Sequence, residues 1–181
     1  MVDTVRLQLR IGPTVPVPVS PAVIDALTNL EVRNNDSGRD GFQITFTIGR
    51  DSVLDYSLLR SGVLDPPARV IITILIGVLP QVLIDGIITN HQVTPSNKPG
   101  EGTLTVTGED ISLQLDLEDK NETYKNQGDS DIVNTILGRY TRFGIRPDVS
   151  QTPVRPQENQ RVPTQQGTDL AFIQELARRN G

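Results

Sequence analysis

Apolar side chains recur at every second position through much of the first two-thirds of this chain, and that period of two constrains the fold more than any other feature. Val5, Leu7, Leu9 and Ile11 alternate with Arg6, Gln8 and Arg10, so a first strand has one apolar face. Phe42, Ile44, Phe46 and Ile48, set against Gln43, Thr45 and Thr47, make a second. Residues 103–107 read as strand again, and the alternation continues through Ile111, Leu113, Leu115 and Leu117 against Ser112, Gln114 and Asp116. Strands with one polar and one apolar face need a sheet that closes or is covered. The expected fold is therefore α+β, mainly β: a small β-barrel with short helices.

Between these strands the punctuation is legible. Residues 15–19 (Val-Pro-Val-Pro-Val) are extended, but prolines cannot donate to a ladder, so they predict an edge strand or a connector. Ser20-Pro21 reads as a helix start, with Val23, Ile24 and Leu27 as the apolar stripe. Residues 34–41 form a turn-rich loop, and residues 55–60 a short helix. The apolar stretch 70–88 is long enough to raise a membrane span. It is broken by Thr73, Gly77, Pro80, Gln81, Asp85 and Gly86 and is rich in Val and Ile, which favours two buried strands, 69–76 and 82–93, joined near residues 77–81. Residues 94–102 are a loop.

The character changes near residue 118. Residues 118–128 are charged and amide-rich, without period, and read as a solvated linker. Asp129-Ser130-Asp131 opens a helix with Ile132, Val133, Ile136, Leu137 and Tyr140 on one stripe, its acidic residues placed where the positive end of the dipole favours them. Residues 147–163 form a Pro- and Gln-rich extended link. Thr168 then caps a last helix with Leu170, Ile173, Leu176 and Ala177 as its stripe, Arg178 and Arg179 near its end and Asn180-Gly181 as a stop. The expected domains are 1–117, the barrel, and 118–181, the connecting segment. The tail has too few apolar residues for a core of its own, so the chain is expected to be the front part of a longer protein or to pack its tail on a partner.

Composition narrows the chemistry. Without cysteine, disulfides and thiolate catalysis are excluded; with a single histidine, so is any site needing two imidazoles from one chain. The net charge of −5 argues against binding duplex nucleic acid through its backbone, and 4% aromatics leave few stacking platforms. The first six residues lack the apolar core of a signal peptide.

Individual candidates read as structural. His91 reads as a rim histidine at a strand end. Ser37-Gly38 and Ser61-Gly62 read as turns, since neither sits in a nucleophile elbow. Asp116, Glu118, Asp119 and Glu122 lack the spacing of a calcium loop and read as solvated. Asp129 and Asp131 read as a helix-capping pair. Gly100-Glu101-Gly102 does not precede a helix and makes a poor phosphate loop. The sequons at Asn35 and Asn121 read as chance matches. No catalytic, cofactor-binding or metal-binding residue is expected, and no cofactor. Basic residues are mostly Arg and scattered, which hints at assembly through ion pairs.

Three segments carry a likeness. Residues 82–89 (VLIDGIIT) look like an F-x-G-x-I/V-t strand. Residues 115–117 (LDL), 121–124 (NETY), 127–133 (QGDSDIV) and 136–137 (IL) are similar to an s-D-s-d-I-v-x-x-I-l segment. Residues 166–181 (QGTDLAFIQELARRNG) look like a t-D-w-d-F-l-x-x-l-A-x-x-n-G helix, with Leu170 where an aromatic often stands. In this order they resemble the phage baseplate hub, or late control protein D, family, which includes the hub part of type VI and extracellular contractile injection system spikes.

The resemblance implies a tube-like barrel followed by a helical and extended segment leading toward a second barrel. It also implies a homotrimer forming a pseudo-six-fold ring between tail tube and central spike, within a virion or injection-particle baseplate assembled in the bacterial cytoplasm. Its partners would be the central spike protein, the tail tube protein and other baseplate proteins, with no membrane span and no specific nucleic-acid binding. Rival expectations are a tail-tube or tube-initiator protein and a small-ligand-binding barrel lined by Phe42, Ile44, Phe46 and Ile48. An enzymatic role, such as peptidoglycan hydrolysis, is not expected.

Overall fold

A computed structural model describes residues 5–35, 39–49, 57–98 and 100–180. It divides into two compact units, Met1–Ile111 and Ser112–Gly181.

The first unit contains β1 (Val5–Gly12), β2 (Val17–Pro18), α1 (Pro21–Asp25), β3 (Leu27–Arg33), β4 (Gly41–Ile48), α2 (Ser57–Arg60), β5 (Arg69–Ile76), β6 (Leu79–Thr94) and β7 (Gly102–Asp110). Its seven strands form one antiparallel sheet in the order β2-β1-β5-β6-β7-β4-β3, curled into a half-barrel. The mainly β architecture expected from the alternation is present. In β4 the alternation is complete: Phe42, Ile44, Phe46 and Ile48 are buried and their neighbours are half-buried. They share one core with Leu9 and Ile11 of β1, Val70 and Ile72 of β5, Ile84 and Ile88 of β6, and Leu104 and Val106 of β7, closed by Val23 of α1 and by Leu64.

Two inward positions of the sheet carry no side chain, and an aromatic ring occupies the space. A Cβ on Gly108 would overlap the Phe42 ring and the Ile87 carbonyl; one on Gly86 would overlap the same ring and the Glu109 carbonyl. Phe42 thus lies across β6 and β7 because both strands offer glycine beneath it.

Several expectations change in detail. The first helix stops at Asp25; Ala26 closes it by donating to Ala22, and Leu27, expected on the helix, instead opens β3 opposite Phe46. Ser20 precedes the helix without a side-chain capping bond, and Pro21 stands at the first helical position. The helix expected over 55–60 is Ser57–Arg60; residues 55 and 56 lie outside the described residues, as do residues 1–4 and Ser37-Gly38.

The join in the apolar hairpin is only Gly77-Val78, with Gly77 at φ 65°. Pro80 and Gln81, expected in the turn, are ladder residues opposite Leu75 and Ile74. Pro80 is tolerated because β7 pairs with β6 only from Gly86 onward, which leaves one side of residues 79–85 as an edge. The stretch 70–88 is thus strand, and no helix among the described residues is long and apolar enough to cross a membrane.

The alternation through 111–117 is not a strand. β7 ends at Asp110, whose N–H bonds to the Asp40 carbonyl, and Ile111–Leu115 winds into a 3-10 turn, leaving Leu117 61% exposed. On one side β4 begins opposite this point, at Gly41↔Glu109, so no partner continues; on the other the chain turns away from β6 and leaves residues 79–85 unpaired on that edge.

The second unit holds β8 (Asp119–Thr123), α3 (Asp129–Gly138), a 3-10 turn (Thr141–Phe143), β9 (Thr164–Thr168) and α4 (Asp169–Asn180). β8 and β9 pair antiparallel, from Asp119↔Thr168 to Thr123↔Thr164. A core of Tyr124, Ile132, Ile136, Phe172 and Leu176 lies between strands and helices, with the Tyr124 and Phe172 rings stacked 5.8 Å apart. Three corrections follow. The tail, expected to have too few apolar residues for a core of its own, has one. The stretch 118–128 is not a solvated linker, since it supplies β8. The stripe of α4 is Phe172, Ile173 and Leu176, while Ala177 is exposed. The helix start is as expected: Thr168 Oγ1 accepts from the Ala171 N–H at 3.2 Å.

Residues 147–163 hold no strand. They are pinned by side chains instead: Thr152 to Ser130, Arg155 to Asp131 and Lys125 to Glu158.

Candidate functional site

The second unit closes around a polar cluster that sequence reading missed. Its centre is Asp169, the first residue of α4, whose side chain is 0% exposed. Strand β8 brings Lys120, whose Nζ lies 2.5 Å from Asp169 Oδ2. Tyr140, just past α3, donates its hydroxyl to the same oxygen at 2.7 Å and accepts from Lys120 at 3.3 Å. Gln165 of β9 donates through Nε2 to Asp169 Oδ1 at 2.7 Å.

The cluster extends outward through Tyr124. Its hydroxyl stands 2.8 Å from Gln165 Oε1 and 3.1 Å from Glu122 Oε2, and donates its one proton between them. Arg139 grips Glu122 with two N–H groups, at 3.1 and 2.6 Å. Three side chains, from β8, from β9 and from the residues just past α3, therefore converge on the one carboxylate that α4 supplies.

Burial acts to raise the Asp169 carboxyl, but the Lys120 ammonium, the Gln165 amide and the Tyr140 hydroxyl together hold it below the ordinary Asp range. The bidentate Arg139 contact lowers Glu122 against the cost of burial. Burial, reinforced by the adjacent Glu122 carboxylate, pushes the Tyr124 phenol up to about 12. Each polar group of the cluster is engaged by another, an arrangement that holds its elements together.

A second tie joins the two helices. Asp129, at the start of α3, accepts from Arg179 Nε at 3.0 Å and from Asn180 Nδ2 at 2.7 Å, with Arg179 Nη2 as a further donor. Of the expected capping pair, Asp131 does cap, its Oδ2 accepting from the Gly128 N–H at 3.3 Å, whereas Asp129 fastens the end of α4.

The remaining sequence candidates are scattered. Asp116 accepts from Thr168 Oγ1 at 2.6 Å, and Glu122 belongs to the cluster. Asp119 is a β8 ladder residue opposite Thr168. Among the described residues, no group of three or more ligating side chains converges on a metal position. His91 belongs to the first unit, half-buried in β6, with Nδ1 3.4 Å from the Leu64 carbonyl and 3.5 Å from Asp65 Oδ1. Gly102 opens β7, so the glycines around Glu101 lead into a strand and not a helix. Ser61-Gly62 is a turn, with Gly62 at φ 65°. The side chains a ligand-binding barrel would present to its lumen, Phe42, Ile44, Phe46 and Ile48, sit in the packed core.

The depressed carboxyls set an acid limit. Asp169, Asp129 and Glu122 all titrate below their ordinary values of 3.8 and 4.5. Their stabilising contribution is complete above those values and is lost as the pH falls through the lower folded-state values. Denaturant midpoints taken from pH 7 downward should be level to about pH 5 and fall steeply below about pH 4. Asp169→Asn should flatten that fall, and an unchanged slope would remove Asp169 as its source.

The Alg8 N-terminal domain family matches residues 42–181 of this sequence. The chain belongs to that family. The match begins in β4 and runs through the second unit, so the matched residues of this chain include those of the polar cluster and Phe42, Gly86 and Gly108. No curated protein matches in sequence.

Among solved structures, a tail protein from Neisseria meningitidis MC58 superposes with a TM-score of 0.58 at 13% identity, covering 96% of this chain and 45% of that one. The 43 kDa tail protein of prophage MuSo2 from Shewanella oneidensis gives 0.56 at 16% identity, covering 98% of this chain and 49% of that one. These two share the fold of this chain, which spans about half their length.

Proposed function

We propose that this chain is a structural protein of a phage-type tail, within a virion or injection-particle baseplate. In this reading it is the hub: three copies form a pseudo-six-fold ring that joins the tail tube to the central spike and touches other baseplate proteins. The observation that supports the reading is the shared fold. The curled-sheet unit and the unit that follows it in the chain, together nearly the whole length, match two tail proteins. The three ordered motifs of the hub resemblance point the same way. The polar cluster suits this role, because mutual satisfaction of its charges stiffens the second unit.

The test is position and copy number. Particles assembled with an affinity label on this chain should show three copies on the axis directly beneath the tube. Six copies in a ring would assign the tail-tube or tube-initiator role instead. A peripheral location would end the hub reading.

A further inference from the structure

The first unit carries an apolar projection and an apolar recess at opposite ends of the same strands. At one end, the β5–β6 turn presents Val78 at 89% and Leu79 at 72% exposure, flanked by exposed Val5, Ile76 and Val82. Val5 and Ile76 are register partners, as are Ile76 and Leu79, so these three share one face beside Val78 where three strands end, while Val82, paired with Thr73, lies on the other face. From residue 70 to residue 84 there is no charged side chain. A charge-free hairpin end with one side of β6 unpaired is the kind of edge that proteins blunt or cover.

At the other end, where Gly12 pairs with Arg69, the chain forms a groove of about 430 Å³. Pro13, Val63, Pro66, Pro67 and Ala68 supply its apolar lining, and the carboxylate of Asp65 stands at its rim, exposed. Exposed Arg6 stands beside the projecting end, in register with Leu75. Projection and recess are thus matched in polarity and opposite in flanking charge. They are separated by the length of β1, roughly 25 Å at the rise of an extended strand.

We infer that the Val78-Leu79 hairpin end of one copy docks into the Pro13/Pro66-Pro67 groove of a second copy, with Arg6 of the first facing Asp65 of the next. A knob and a recess on different parts of one surface can be satisfied reciprocally in a two-fold pair or used on two different neighbours. The assembly reading above selects the second, a head-to-tail contact that closes into a ring when the rotation per copy allows it. The inference rests on the assembly reading above and names the surface that would carry it.

The experiment uses the full chain and two variants. Val78→Asp/Leu79→Lys spoils the projection and leaves the groove. Pro13→Arg/Asp65→Arg spoils the groove and leaves the projection. All four substituted side chains are exposed, so both variants should keep the melting temperature of the parent; Val78→Ser serves as a milder projection variant should the double one unfold.

By sedimentation velocity, the parent should associate as concentration rises, and each variant alone should associate at least tenfold more weakly. An equimolar mixture should recover a one-to-one pair, because one intact projection and one intact groove remain. Variants that associate like the parent, a mixture that stays monomeric, or a parent that never associates would each overturn the inference. So would binding of the parent to phosphatidylcholine vesicles that the projection variant loses, which would assign the patch to a lipid surface. Association by this contact in a chain found outside any tail would sink the hub proposal alone; axial chains that tolerate both variants would sink only the contact.

Discussion

Asp169→Ala should lower the stability of the second unit by about 3–5 kcal/mol, the cost of breaking a buried ion pair by removing one partner. The substitution leaves the Lys120 ammonium, one-fifth exposed, with the Tyr140 hydroxyl and the field of the Glu122 carboxylate in place of an ion pair. It also takes the carboxylate acceptor from the wholly buried Gln165 amide, whose Nε2 keeps only the longer 3.2 Å bond to the Gly167 carbonyl. Because β8, β9, α4 and the end of α3 meet on this carboxylate, the loss should appear as one cooperative shift rather than as local fraying. Proteolysis of the region 112–180 and a urea midpoint read the effect together. Asp169→Asn keeps the shape and the Tyr140 contact, so it should cost less than Ala at neutral pH. If Ala costs under about 1 kcal/mol, within the range of an ordinary exposed pair, the cluster is not the keystone described.

Gly108→Val should cost about 3 kcal/mol or somewhat more, at the upper end of what overpacking does to a well-filled core. The added side chain would meet the Phe42 ring and the Ile87 carbonyl, and only the ring can swing away. Moving it opens space above Gly86 that nothing else fills. Phe42→Leu combined with Gly108→Val should therefore recover part of the loss, which a double-mutant cycle measures directly. Additive losses would place the strain elsewhere in β7.

How much of this was legible follows from where each element draws its stability. β4, β5 and α3 bury regular faces, so their side chains carry a period, and the reading of Phe42, Ile44, Phe46 and Ile48 as one inward face holds residue by residue. β3 carries Leu27 and Leu30 out of step, because the ladder slips between Leu27 and Asn29 and a slip moves side chains to the other face. β8 and β9 read Asp-Lys-Asn-Glu-Thr and Thr-Gln-Gln-Gly-Thr, strands made by pairing and by polar ties rather than by apolar burial, and such strands leave no alternation to find. The cluster escaped for a related reason. Lys120 and Asp169 are 49 positions apart, and only the fold brings them within hydrogen-bond reach. One trace was present: Asp169 opens a helix directly after a Gly-Thr pair inside the motif that resembles the hub family.

Strand β6 has a consequence for how this protein would resist being pulled. It is 16 residues long, pairing through Leu79 to Ile87 with β5 and through Gly86 to Thr94 with β7, with a slip in each ladder near the handover. Tension along its axis therefore strains hydrogen bonds on both flanks in shear, many at once, whereas a hairpin opened from its end unzips them singly. A sheet stitched through one such shared strand should break at high force along that direction and at low force across it.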